Sequence, residues 1–192
     1  MAGRPAGHQV APSPISGLPV RRIVGWLAYS SGVVAAVGVV FIVGMYVLFF
    51  AGMMTTGERF GSINDAAVLI QYLLALPTPF TLHKLVQGRS PVLSRVAMMI
   101  GIVGMIAIIV LQYLLIAGVL TFEQQVGAVS VALLAVAVWL VVTGYLGRFT
   151  GKLPGSLLMS IIGASYVGFP IWAFWLGRRL LSDLGTDQAA AA

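Results

Sequence analysis

The stretch Phe60–Leu85, FGSINDAAVLIQYLLALPTPFTLHKL, decides how this chain is read. It is apolar enough for a membrane helix, yet it carries an acid, two amides, two prolines and a histidine. From Ile63 to Leu76 it is compatible with a helix, but those residues cover only about 21 Å, short of a hydrocarbon core of roughly 30 Å. To cross, the chain must continue through Pro77 and Pro79 to about His83. A proline has no N–H, so the carbonyls of Leu73 and Ala75 lose their helical donors. Lipid cannot replace them, and other helices or trapped water must.

Asn64, Gln71 and Thr78 are spaced by seven and therefore share one helix face. A polar face on a membrane helix turns toward other helices or a wet cavity. Unless the span ends are misplaced and Asn64 and Asp65 simply sit among headgroups, two readings of it stay open at the level of sequence. In one it is packing glue between helices. In the other, Asn64, Asp65, Gln71, Thr78 and Gln112 line a polar pathway or pocket. Asp65 has two roles open to it. It caps the dipole at the start of its helix, the preferred reading, or it faces the bundle as a proton or cation group.

The rest of the chain has the same character. It has 192 residues, of which 59% are hydrophobic and 8% charged. Its mean hydropathy is +1.01. Soluble domains carry about 25% charged residues, and long apolar runs in so uncharged a chain mean membrane spans. There is no cysteine, which excludes disulfides, thiol chemistry and Cys-ligated metals. The net charge of +6 does not indicate nucleic acid, because the basic residues stand in short caps between apolar runs rather than along one face.

The expected fold is all-α: a polytopic bundle of five transmembrane helices. Residues 1–22, rich in Gly, Ala and Pro, are expected to be a flexible cytoplasmic tail. Residues 23–179 form the transmembrane domain and 180–192 a disordered tail. The run from Ile23 to Ala51 is about twice the length of a signal-peptide core, so it is read as a retained first helix. The second helix is Phe60–Leu85. The third runs from about Val96 to Leu120, the fourth from about Val126 to Gly147, and the fifth from about Ser156 to Gly177. The matches Ile42–Met45 with Ile102–Met105 and Ala51-Gly52 with Ala117-Gly118 suggest that two hairpins arose by duplication.

Five crossings from an inner N-terminus place Arg4, Arg21, Arg22, Lys84, Arg89, Arg95, Arg148 and Lys152 inside. Arg59, Arg178 and Arg179 fall outside. The positive-inside rule then gives a cell-membrane protein with its N-terminus cytoplasmic and its C-terminus outside. Arg178–Arg179 fit awkwardly. A re-entrant fifth segment, which Pro170 would permit, would bring both inside. Trp172 and Trp175 are expected as headgroup-level anchors, and Trp139 as a deeper packing residue.

Ser156, Ser160, Ala164 and Gly168 recur every four residues and predict a close helix-packing stripe, within the chain or between copies. Gln112, Thr143, Tyr145, Ser165 and Tyr166 could join Gln71 around an uncharged inner cavity. His83 is expected at the interface beside Lys84. No His/Asp/Glu cluster has ligand spacing, so no metal and no cofactor is expected. The chain has no P-loop, nucleotide fingerprint, Ser/His/Asp set or K⁺-filter motif, and no catalytic residue is assigned.

The expected partners are membrane lipids, with a homo-oligomer or other membrane subunits as further candidates. The functional expectation is a non-catalytic or accessory membrane component. The alternative is an oligomeric transporter or channel for a small solute or ion built on the proline-broken second helix.

Overall fold

A computed structural model describes residues 18–150, 153 and 155–189, and for 18–19 and 183–189 the backbone alone. The described residues form seven helices: α1 (Leu18–Phe50), α2 (Met54–Ala75), α3 (Thr78–Val86), α4 (Pro91–Ile116), α5 (Phe122–Thr150), α6 (Ser156–Gly163) and α7 (Gly168–Ala189). No strand occurs among the described residues. Among the described residues four stretches are long and apolar enough to cross a membrane: Val20–Phe50, Met54–Val86, Pro91–Ile116 and Phe122–Thr150. The second of these joins α2 and α3 through the break at Leu76–Pro77.

The four long stretches run alternately up and down. α1 packs along α2, α2 against α4, and α4 along α5. Both turns at the far end close in the same way. Gly52 and Gly118 adopt φ of +77° and +70°. The next residues, Met53 and Val119, donate back to the carbonyls of Leu48 and Leu114. This is the Schellman ending, which needs a left-handed residue that glycine supplies without strain. The suspected duplication is not established by this shared turn, which is a general helix-ending device.

The segment expected as a fifth crossing is broken into two helices, neither of which is among the stretches long and apolar enough to cross. α6 has only eight residues, about 12 Å of helix. Its start packs on the end of α5, with Ser156 beside Gly147 and Ser160 beside Gly144. The chain then turns at 164–167 and returns as α7, antiparallel to α1. Tyr166 lies beside Gly38, Pro170 and Phe174 beside Gly32, and Leu180 and Leu181 beside Gly25. α6 and α7 are thus a helical hairpin that enters and leaves at the end of the bundle where α1 begins. The start of α1 and the later part of α7 therefore lie at the same end of the bundle.

The other boundaries shift as well. α1 starts at Leu18, inside the expected tail, whose residues 1–17 lie outside the described ones. α7 continues as helix through residues 180–189, expected as a disordered tail, and 190–192 lie outside the described residues.

The hairpin holds the centre of the core. Trp172 is 2% exposed and sits edge-on to the buried Trp139, with ring centroids 5.8 Å apart. Phe169 and Tyr72 extend the stack at 5.5 and 5.6 Å. Two glycines make room for it. A Cβ on Gly101 would lie 2.5 Å from the Trp139 ring, and one on Gly163 would lie 2.6 Å from Trp172 Cβ. Trp172 is therefore a core residue and not a headgroup anchor, whereas Trp139 packs deep as its position suggested.

The hairpin also redistributes charge. Arg21, Arg22, Lys84, Arg89, Arg95, Arg148, Arg178 and Arg179 all belong to the end where α1 starts. Arg59 is the one described basic residue at the other end. Asp183 and Asp187 follow Arg179 on α7.

Candidate functional site

Asn64 and Gln71 of α2 are buried and Asp65 is half-buried, and the three side chains face different neighbours. α2 begins at Met54, six residues before the expected start, so Asp65 lies three turns inside the helix and does not cap it. Its carboxylate instead faces α4. Gln112 Nε2 donates to Asp65 Oδ1 at 3.2 Å. Gln112 Oε1 in turn accepts from Gln125 Nε2 on α5. One orientation of the Gln112 amide therefore satisfies a partner on each side. Gln112 and Gln125 are 5% and 3% exposed, so this chain of three side chains ties α2, α4 and α5 within the packed interior.

Sequence reasoning left Gln125 in a polar turn. The signal that would have placed it is the Thr121–Gln124 pair. Gln124 Oε1 accepts from the Thr121 N–H at 2.9 Å, and Thr121 Oγ1 accepts from the Gln124 N–H at 3.4 Å. This reciprocal pair is a capping box, and it starts α5 early enough to include Gln125.

Asn64, one residue earlier, turns the other way. The Tyr166 hydroxyl at the hairpin tip donates to Asn64 Oδ1 at 2.5 Å. Gly38 of α1 lies alongside this bond, where a Cβ would make ordinary contact at 3.4 Å from Asn64 Oδ1. The tip is itself closed by Ser165, whose hydroxyl donates to the Ile162 carbonyl and accepts from the Gly168 N–H.

Gln71 stands one heptad below Asn64 and is 4% exposed. Its backbone carbonyl accepts from Ser31 Oγ at 3.0 Å. Its side-chain amide has no hydrogen-bond partner among the described residues and lines a chamber of about 60 Å³. Tyr72, Leu133, Ser165, Tyr166 and Phe169 are among the other walls. That volume is room for about two waters at ~30 Å³ each, and an amide, two phenols and a hydroxyl give them partners.

Thr78, fully buried, is spent locally. Its Oγ1 donates to the Ala75 carbonyl at 2.7 Å. That carbonyl is the one Pro79 deprives of its helical donor, so the kink repairs itself with a side chain. His83 Nδ1 lies 2.8 Å from Ser94 Oγ, and the pair joins α3 to α4.

Of the other expected cavity residues, Ser165 and Tyr166 meet Gln71 at the chamber. Thr143 is buried outside its lining, and Tyr145 points outward at 50% exposure against Phe149. Within the small-residue stripe, Ser156 and Ser160 lie buried against α5, with Ser156 Oγ donating to the Gly144 carbonyl at 2.9 Å. Ala164 is exposed at the tip, and Gly168 sits at the bend, where the Ile162 carbonyl leaves no room for a Cβ. Among the described residues no three His, Asp or Glu side chains gather as a metal site would require.

No protein-family model matches the chain, nor does any curated protein or solved structure.

Proposed function

We propose that this is a non-catalytic integral membrane component, acting through the lipids or membrane subunits it contacts and not by conducting a solute. One observation carries this reading: apart from the Gln71 amide, the groups that would have to line a path are already bonded to protein. Asp65 is held by Gln112, Asn64 by Tyr166, and the carbonyl freed by Pro79 is held by Thr78. A path must offer its polar groups to the solute, and bonded side chains yield them only at a cost of about 1–3 kcal/mol for each group left unpaired.

The topology that fits is four crossings plus a re-entrant hairpin, with the basic end cytoplasmic. The eight described basic residues gathered there, against Arg59 opposite, support this orientation. The C-terminal end of α7 then lies on the cytoplasmic side with the start of α1.

The test is flux through liposomes reconstituted with the purified protein, measured with a pH-sensitive dye, a K⁺-sensitive dye and osmotic swelling. Rates equal to those of protein-free liposomes are expected. Flux that Asp65→Asn or Gln71→Leu abolishes would overturn the reading.

A second reading, a pathway for a small solute or ion, draws on the chamber. The unpaired Gln71 amide lines the same chamber as Ser165 and Tyr166 of the hairpin tip. Half-helices that end inside the membrane form binding sites in known transporters. In that case Gln71→Leu alone would remove a measured flux, while Thr78→Val would leave it.

A further inference from the structure

The break at Leu76–Pro77 has an outer consequence as well as an inner one. α1 packs closely along α2 but only slightly against α3, because the chain changes direction between them. The result is a groove of about 280 Å³ at the basic end of the bundle. Val24 forms one wall, and Pro77, Phe80 and Leu85 form the other. Arg21 and Lys84 stand at its mouth. Phe80 is half exposed and Lys84 is exposed, so the groove opens to the surroundings of the bundle.

We propose that this groove holds one anionic glycerophospholipid. Its phosphate lies between Arg21 and Lys84, and part of one acyl chain lies against Pro77 and Phe80. The chemistry at each depth matches such a molecule. Two cations stand where headgroups lie, roughly one helical turn beyond an apolar wall that continues into hydrocarbon. The volume corresponds to on the order of nine water-sized groups at ~30 Å³ each, which suits a portion of one chain rather than a soluble solute with polar groups throughout. The occupant's charge follows from the setting: the two cations at the groove favour an anionic headgroup, each by about fivefold where it lies against the phosphate. This inference is independent of whether the bundle conducts.

The experiment is native mass spectrometry of the full chain released from nanodiscs of equal phosphatidylglycerol and phosphatidylcholine. One phosphatidylglycerol retained in preference to phosphatidylcholine is expected. Lys84→Gln should lower that retention about fivefold, and Lys84→Arg should preserve it. Arg21→Gln together with Lys84→Gln should lower it about 25-fold. Arg22→Gln removes the same charge from an exposed neighbour outside the groove and should change retention less than twofold. Because Lys84 is exposed, its variants test binding without disturbing the core. Equal losses from Arg22→Gln and Lys84→Gln would overturn the proposal in favour of diffuse attraction to the basic end. No preference for phosphatidylglycerol in the unaltered protein would overturn it outright.

Discussion

Replacing Gly144 with alanine should drive α6 off α5. A Cβ at this position would lie 2.5 Å from Ser160 Oγ, 2.6 Å from Ser160 Cβ and 2.9 Å from the Ser156 carbonyl. Carbon atoms in contact sit at about 3.5–4.0 Å, so the helices must separate by roughly 1 Å. That displacement stretches the 2.9 Å bond from Ser156 Oγ to the Gly144 carbonyl beyond hydrogen-bonding range. Overpacking costs about 1–3 kcal/mol and the lost bond about 1 kcal/mol. Alanine recovers about 1 kcal/mol over glycine in a helix interior. The expected net loss is ~1–3 kcal/mol, which lowers the melting temperature by roughly 3–10 °C for a chain of this size. Thermal unfolding in mild detergent, followed by circular dichroism, measures it. The companion variant Gly144→Ala/Ser160→Gly removes both clashing side-chain atoms and should regain at least half of the loss. If Gly144→Ala melts at or above the parent temperature, helix propensity outweighs packing, and the close α5–α6 contact is refuted.

Thr78→Val keeps the shape of the side chain and removes its donor, so the Ala75 carbonyl is left buried without a partner. A loss of ~1–3 kcal/mol is expected in the same melting assay, and an unchanged melt would mean that something else fills the kink. Gln112→Leu strands both Asp65 and Gln125 and should cost more than Gln125→Leu, by about 1 kcal/mol or more, because it removes two bonds instead of one. Equal losses would show that Asp65 does not depend on Gln112. The chain has no cysteine, so single substitutions can be labelled without background. Ser90→Cys and Ser182→Cys should react with an impermeant maleimide from one side of the membrane and Glu123→Cys from the other. Labelling of Ser182→Cys together with Glu123→Cys would mean that the last segment crosses.

The four long spans were legible because hydropathy and length suffice for them, and the proline kink because Pro77 and Pro79 permit nothing else. The hairpin was not, because Ser156–Gly177 has the length and apolarity of a crossing. What divides it is tertiary: a bend at Ser165–Gly168 stabilised by the aromatic stack on Trp139. The single mark of it in the sequence was the misfit of Arg178–Arg179 under five crossings. The candidate site was legible one helix at a time. That Asn64, Gln71 and Thr78 share a face follows from their spacing, but their separate partners on α7, in a chamber and on their own backbone do not. Asp65 was misjudged because its role depends on where α2 begins, and the apolar turn Ala51–Met53 that sets this carries no capping side chain.

The half-height hairpin also bears on how the chain is assembled. A fifth crossing would require Arg178 and Arg179 to be carried through the hydrocarbon, at about 2.5–3.5 kcal/mol each on insertion scales. A segment that dips in and returns carries no charge across. Its apolar tip can enter after the four long helices have been laid down, closing over Trp139 as a final step.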